Sequence, residues 1–522
     1  MFTLTEMRTR IACIGLILTS VACLRGAEAP RQPYNILFIA VDDLNDWVGS
    51  FGGAPRAESA TPNIDRFIEN GAMAFQQASC AAPVCGPSRA ALLSGMMPNR
   101  TGVYLNTQRF LDSTAVQTHL TLPEYFSKNG YFTLSTGKIF HRHPGDSGQW
   151  AWDLWFDGDG GKGGGADPNH VTSRNKNLVN GKTNVVPAVE SEGDEGGEGE
   201  GTDFAWGPTR GGKEETKDWK AAEWAVQQLA TPRDKPFFLA LGISKPHLTW
   251  FVPQEYFDRH PLENIKLPKI LDGDLNDITT PAGAVKFKPT SDFNWAIQAP
   301  TLFKSALQGY LAATSLADDC VGHVLDALAK SPAKDNTIVV IWGDHGWHLG
   351  EKQRFRKFTL WAESARVPLI IRTPDMNKRM DSPRAVNLID LYPTLIDLCG
   401  LPPKANIDGR SIAPLLRNPT LAWPYPSITI NANGSACVHD ESWYFIRYND
   451  GAEEFYDMET DPMQWTNLAK SDNPKIISHK ERLAKSFPAS FVPDVKVRNK
   501  GESGKGTLDM GIKAIRAKAN LQ

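Results

Sequence analysis

Long apolar runs are scarce in this 522-residue chain. Beyond residue 24 no stretch is long and apolar enough to form a membrane-crossing helix, so no integral membrane segment is expected there. Charge of one sign is not in excess either: 56 basic and 59 acidic residues give a net charge of -3. Nothing global therefore draws the chain to nucleic acid or to an anionic membrane surface. Any anionic substrate has to be held by a local cluster of cations. Cysteine is sparse as well. Beyond residue 29 only Cys80, Cys85, Cys320, Cys399 and Cys437 occur, too few for a disulfide framework in a chain this long. Buried free thiols are the expectation, and no pairing can be read from the spacing. No internal repeat is present, which excludes a solenoid or propeller.

The first residues have an organisation of their own. Arg8 and Arg10 precede the apolar run Ile11 to Leu24, and small residues follow at Gly26, Ala27 and Ala29. That order is the one of a secretory signal peptide over residues 1–29, and it implies a secreted or periplasmic protein. Ser20-Val21-Ala22-Cys23 resembles a lipoprotein box, with Ser20 where an aliphatic residue belongs, so a lipid anchor at Cys23 is the alternative.

The remainder reads as alternating strands and helices. Asn35–Val41 is a continuous apolar run suited to a strand buried on both faces of a sheet, and similar runs recur at 237–241, 337–342 and 367–371. Thr61-Pro62 places a capping hydroxyl before a proline that suits a first helical turn, and Leu307 to Leu328 carries a helical apolar spacing. The pattern predicts an α/β class. A segment rich in glycine and glutamate, residues 158–217, breaks the rhythm and reads as a surface insertion with too little apolar content to pack. After about residue 419, short strands at 427–430, 443–448 and 454–456 and the turn Asn449-Asp450-Gly451 predict a small C-terminal subdomain over 419–522. The catalytic domain is then 33–418. The last thirty residues or so are basic and weakly patterned, and either wrap back over the body or stay unstructured.

Chemistry concentrates in a few places. Cys85-Gly86-Pro87-Ser88-Arg89 precedes an apolar stretch ending in Ser94-Gly95. A reactive group at a helix start lies near unpaired N–H groups and the positive dipole end. This stretch resembles the type I sulfatase signature. In that family a formylglycine-generating enzyme oxidises the cysteine to 3-oxoalanine. The hydrated aldehyde presents two oxygens, one to attack sulfur and one to expel sulfate afterwards.

Asp42-Asp43 directly follows the first strand, and Asp344-His345 follows the strand at 337–342. Ligands gather at carboxyl ends of strands in such sheets. Carboxylates brought together there would repel without a cation, and oxygen ligands favour calcium or magnesium over zinc. The resemblance implies Ca2+, with Mg2+ as the other hard cation, held by Asp42, Asp43, Cys85 in its oxidised form, Asp344 and His345.

Gly137-Lys138-Ile-Phe-His141 sets a lysine and a histidine three apart, a spacing one helical turn would aim to one side. Ser244-Lys245-Pro246-His247, Arg356-Lys357-Phe358 and Asp344-His-Gly-Trp-His-Leu-Gly-Glu351 complete the set. Together these are similar to the iduronate-2-sulfatase branch, from about residue 35 to 415, and more weakly beyond. The resemblance implies an alkaline-phosphatase-like sandwich: a mixed, mostly parallel central sheet with a small C-terminal α+β subdomain built on an antiparallel sheet. It further implies that Arg89 holds the diol, Lys138 and Lys357 clamp the sulfate, and His141 takes the diol proton. His247 protonates the leaving alcohol, and Asp344 doubles as base. The substrate would be a sulfated carbohydrate, with a uronic acid 2-O-sulfate as the branch's example. Two rivals stand beside this reading. One is a phosphodiesterase or phosphonate hydrolase of the same superfamily, and the other is an inactive secreted glycan-binding protein.

Overall fold

The structure is a computed structural model, described for residues 33–52, 60–141, 148–156, 184–185, 204–432 and 434–497. The expected signal peptide with Cys23, most of the Gly/Glu segment and the last residues from 498 lie outside these. Among the described residues no helix is long and apolar enough to cross a membrane.

Eight strands form the central sheet: β1 (Asn35–Val41), β2 (Met73–Ser79), β3 (Phe132–Gly137), β4 (Leu154–Phe156), β5 (Phe237–Ile243), β6 (Thr337–Gly343), β7 (Leu369–Arg372) and β8 (Met380–Asn387). Their order is β8-β2-β7-β6-β1-β5-β3-β4. All neighbours run parallel except β7, which is antiparallel to both β6 and β2. The apolar run at 367–371 is thus the one that reverses direction. Apolar content marks a buried strand but carries no sign for its direction.

Alternate residues of β1 feed opposite faces. Leu37, Ile39 and Val41 join one core with helices α1 (Pro62–Glu69), α3 (Lys217–Ala230) and α4 (Pro300–Lys330). Ile36, Phe38 and Ala40 join the other core with α2 (Cys85–Ser94) and α5 (Leu391–Leu398). A strand apolar on both faces is therefore a sheet sandwiched between helical layers.

Two local expectations change. Thr61 does precede α1, but its hydroxyl accepts the Gly49 N–H at 3.1 Å and does not cap α1 itself. The segment read as an insertion to residue 217 is packed over its described end. Ala205–Thr209 is a strand paired in parallel with Trp250–Pro253, and Phe204 and Trp206 are buried against Trp250. The neighbouring Gly/Glu run dominates the composition there, while a few aromatics decide the packing.

Four antiparallel strands follow in sequence order, β9 (Ser427–Ile430), β10 (Ala436–His439), β11 (Trp443–Arg447) and β12 (Glu453–Asp457). Helix α6 (Pro474–Ala484) covers one face through Leu483, against Val438, Phe445 and Phe455. This sheet abuts the chain leaving β2: Ile430 N–H donates to Ala81 O at 2.9 Å, and Thr429 Oγ1 donates to Cys80 O at 2.6 Å. It thereby braces the segment that delivers Cys85.

Candidate active site

The site is built where β1, β5 and β6 end and α2 begins. β1 pairs with β5 and β6 along its whole length, so Val41 lies beside Ile243 and Gly343, and the residues just past each strand share one edge. Asp42 and Asp43 come from β1, Asp344 and His345 from β6, and the Ser244–His247 turn from β5. The chain after β2 returns Cys85 to the same place as the first residue of α2.

The turn after β1 is unusual. Asp43 has φ 61°, a left-handed conformation that a non-glycine residue rarely adopts. Its carbonyl accepts the Tyr310 hydroxyl from α4 at 2.9 Å, and its N–H donates to Asp344 Oδ1 at 3.1 Å. Tyr310 was invisible in the sequence as a site residue because it sits on the apolar face of a long helix.

Arg89 is fully buried and joins the two acidic pairs. Its Nε donates to Asp344 Oδ2 at 2.8 Å and its Nη2 to Asp42 Oδ1 at 3.0 Å. Its Nη1 reaches the carbonyl oxygens of Lys138 and Ile139. Lys138 Nζ lies 2.5 Å from Asp42 Oδ2. Residues 138–141 are an irregular bend after β3, not a helical turn. Gly137 closes β3 at φ 73°, with Gly242 O only 1.8 Å from where a Cβ would stand, and this sharp end replaces the helix. His141 still arrives beside the start of α2, its ring 3.6 Å from the site of a Cβ on Gly86.

Cys85 Sγ sits at the centre. Lys357 Nζ is 3.0 Å away, His345 Nε2 3.1 Å and Asp43 Oδ1 3.8 Å. Lys357 Nζ also donates to Asp43 Oδ1 at 2.9 Å. His247 Nε2 stands 3.9 Å from Asp43 Oδ2. Both histidines show their tautomer. His247 Nδ1 faces Leu248 O at 2.5 Å and His345 Nδ1 faces Gly346 O at 2.8 Å. A carbonyl only accepts, so each Nδ1 carries a proton and each Nε2 is turned to the acidic cluster. His348, by contrast, is buried against Thr359 at 2.7 Å and stays outside the cluster.

Charge sets the protonation states. Burial alone would raise the Asp42 carboxyl, but Lys138, then Arg89 and His247, hold it well below the usual range. Burial likewise opposes Asp43, and His247 and Lys357 overcome it. For the Cys85 thiol, burial and Asp42 push upward while Lys138 and Lys357 pull harder downward, so it is more acidic than an ordinary cysteine. Burial would lower His247, yet Asp43 raises it.

The residues fit a divalent cation. Ligand atoms of Asp42, Asp43, Cys85 and His247 converge, as do those of Cys85, Asp344 and His345. Asp43 Oδ2 is buried with no hydrogen-bond partner, and His345 presents Nε2 inward while its Nδ1–H is anchored, the arrangement of a ligating imidazole. Repulsion among the carboxylates is a weaker argument than the sequence suggested, because Arg89, Lys138 and Lys357 already offset them. The other cysteines do not take part: Cys80, Cys320, Cys399 and Cys437 are free, and burial raises each thiol.

Comparison with known proteins places the chain in a family. The sulfatase family matches residues 34–401, and the family described as N-sulphoglucosamine sulphohydrolase, C-terminal, matches 343–487. A sulfatase of Formosa agariphila is 36% identical over 474 residues, covering 87% of this chain and 86% of that protein. Iduronate 2-sulfatase of Homo sapiens is 29% identical over 449 residues, covering 76% and 75%. Among solved structures, the phosphonate monoester hydrolase of Agrobacterium radiobacter superposes with a TM-score of 0.66 at 18% identity, covering 87% of this chain and 95% of that one. That likeness shows a shared fold and does not choose the reaction. The chain belongs to the sulfatase family and is a sulfuric ester hydrolase.

Proposed function

We propose that this sulfatase hydrolyses sulfate monoesters of a sulfated carbohydrate, with Cys85 oxidised to formylglycine and a calcium ion bound by Asp42, Asp43, Asp344 and His345. One observation carries the reading: a single cysteine lies within 3.1 Å of both Lys357 Nζ and His345 Nε2, at the start of a helix and beside two buried acidic pairs. The structure contains the unmodified thiol, which stands in for the two oxygens of the hydrated aldehyde. The overall reaction adds water across the ester, R–O–SO3⁻ + H2O giving R–OH and HSO4⁻.

A cation held by Asp42, Asp43, Asp344 and His345 would supply a fixed positive charge to offset negative charge at the centre. The chain's own residues do the rest. Lys357 and Lys138 flank residue 85 and neutralise charge on the sulfate. Arg89 fixes the two acidic pairs relative to α2. His247 carries a proton on Nδ1, and its raised affinity for a second proton on Nε2 suits it to protonate the departing alcohol. His141, which borders the same small cavity as Gly86, is placed to take a proton from residue 85.

The iduronate 2-sulfatase relative favours a uronic acid 2-O-sulfate as substrate. The order of charged, apolar and small residues over 1–29 supports export, to the periplasm or beyond, and conversion of Cys85 then requires a formylglycine-generating enzyme before folding. The test joins mass and rate. The peptide bearing residue 85 should weigh about 18 Da less than its thiol form. The same preparation should release sulfate from a nitrophenyl sulfate and from 2-O-sulfated uronides in a panel of defined oligosaccharides. An intact thiol in active protein, or a preference for the matching phosphonate ester, would overturn the reading.

A further inference from the structure

The first turn of α2 holds residue 85, and its backbone is tied from outside the signature. Asn106, on the loop after α2, accepts the Gly86 N–H on Oδ1 at 2.7 Å. This N–H is one of the four that a helix start leaves without an intrahelical partner. The fit is close, because a Cβ on Gly86 would stand 2.8 Å from the same oxygen. Asn106 thus fixes the peptide plane joining Cys85 to Gly86.

The loop carrying Asn106 is itself held by Gln108. Its Oε1 accepts the N–H groups of Tyr104 at 2.6 Å and Leu105 at 2.8 Å. Its Nε2 donates to Val495 O at 3.1 Å and to Asp494 Oδ2 at 3.3 Å. Residues 490–495 lie along this loop like an added strand: Val492 N–H donates to Asn99 O at 2.9 Å, Val495 N–H to Gly102 O at 2.8 Å, and Tyr104 Oη to Val492 O at 2.9 Å. Gln108, Gly86 and His141 border one small cavity beside the catalytic centre. The C-terminal family match ends at residue 487, so this strap belongs to the part of the chain beyond it.

We propose that Asn106 is a positioning residue that sets the orientation of the group at residue 85, and that the strap 490–495 keeps it in place through Gln108. The proposal rests on residue 85 being the nucleophile. Its physical basis is that a displacement of about 1 Å at a reacting group can cost about 100-fold in rate.

The test uses full-length Asn106→Ala, Asn106→Asp and Gln108→Ala, with kcat expressed per converted residue 85 from intact mass. Asn106→Ala should lower kcat about 10–100-fold while KM changes less than about threefold, since Asn106 acts through the Gly86 backbone. Asn106→Asp keeps an acceptor for the Gly86 N–H and should recover most of that kcat. Gln108→Ala should lower kcat in the same direction with Asn106 still present, and it carries the test should Asn106→Ala not fold. The proposal is overturned if Gln108→Ala and Asn106→Ala keep wild-type kcat per converted site, or if the aspartate is no better than the alanine. Wild-type protein that is inactive with an unconverted thiol would instead end the reading of residue 85.

Discussion

Arg89 and Asp344, 255 residues apart in sequence, are locked by a fully buried ion pair of 2.8 Å, and the same guanidinium reaches Asp42 at 3.0 Å. One planar cation thus sets the spacing of two strand ends. A lysine ammonium is a single point and lacks the fork that bridges two carboxylates. Arg89→Lys is therefore expected to fold but to lose about 10²–10³ in kcat. Arg89→Ala takes the buried guanidinium from Asp344 and leaves Asp42 with Lys138 alone, and should destabilise by about 3–5 kcal/mol. Steady-state rates and urea titrations measure both, and a lysine variant with wild-type turnover would refute the bridging role.

Cys85 offers a cleaner separation of chemistry from fold. Its side chain is small and buried, and Lys357 retains Asp43 as a partner at 2.9 Å when the sulfur is removed. Cys85→Ala should abolish turnover while its melting temperature stays within a few degrees, the shift that about 1 kcal/mol produces. Measurable sulfate release by this variant would exclude residue 85 as nucleophile. Lys357→Ala is expected to act differently. It exposes Asp43 and the group at residue 85 to each other, so both activity and stability should fall.

Much of this was legible in the chain. Asn35–Val41 and Thr337–Gly343 announce themselves because a strand buried on both faces needs no polar residue. The signature from Cys85 to Arg89 and the acidic pairs after those strands could be placed together because parallel strands end on one edge. Other parts were hidden for physical reasons. The turn after Gly137 depends on how close Gly242 approaches on the neighbouring strand, about a hundred residues further along the chain. Tyr310 and Asn106 act through contacts 267 and 20 residues distant, and neither carries a residue type that marks catalysis. Phe204 and Trp206 pack because Trp250 faces them, which the Gly/Glu run before them conceals.

The cation can be tested without turnover. Asp43 Oδ2 is buried and unpaired by hydrogen bonds, so a ligand to it should stabilise the fold. Chelation is expected to lower the melting temperature, and calcium should restore it in a saturable way, with magnesium less effective. Asp43→Asn should weaken that response at least about tenfold in apparent affinity. A melting temperature indifferent to both chelator and calcium would remove the metal from the proposal.

Stability should also depend on pH through groups away from Cys85. Burial pushes the Glu351 carboxyl up to about 8, Glu363 to about 7 and Asp318 to about 7. Between their ordinary values and these, the folded chain holds protons the unfolded chain has released, so this contribution falls as pH rises through that window. His260 and His439 work the other way. Burial holds each near about 4, so the unfolded chain binds more protons up to 6.5 and stability rises with pH there. Three carboxyls outweigh two imidazoles below about pH 6.5, and above it only the carboxyls still titrate, so the two trends together leave a decline that continues to about pH 8. Glu351 Oε2 accepts the Leu349 N–H at 2.7 Å, a bond that the amide oxygen of Glu351→Gln can keep. That variant loses the titration alone, so its denaturation midpoint should fall less than the wild type's between pH 6.5 and 8.5. Parallel curves for the two proteins would show that Glu351 does not carry the alkaline loss.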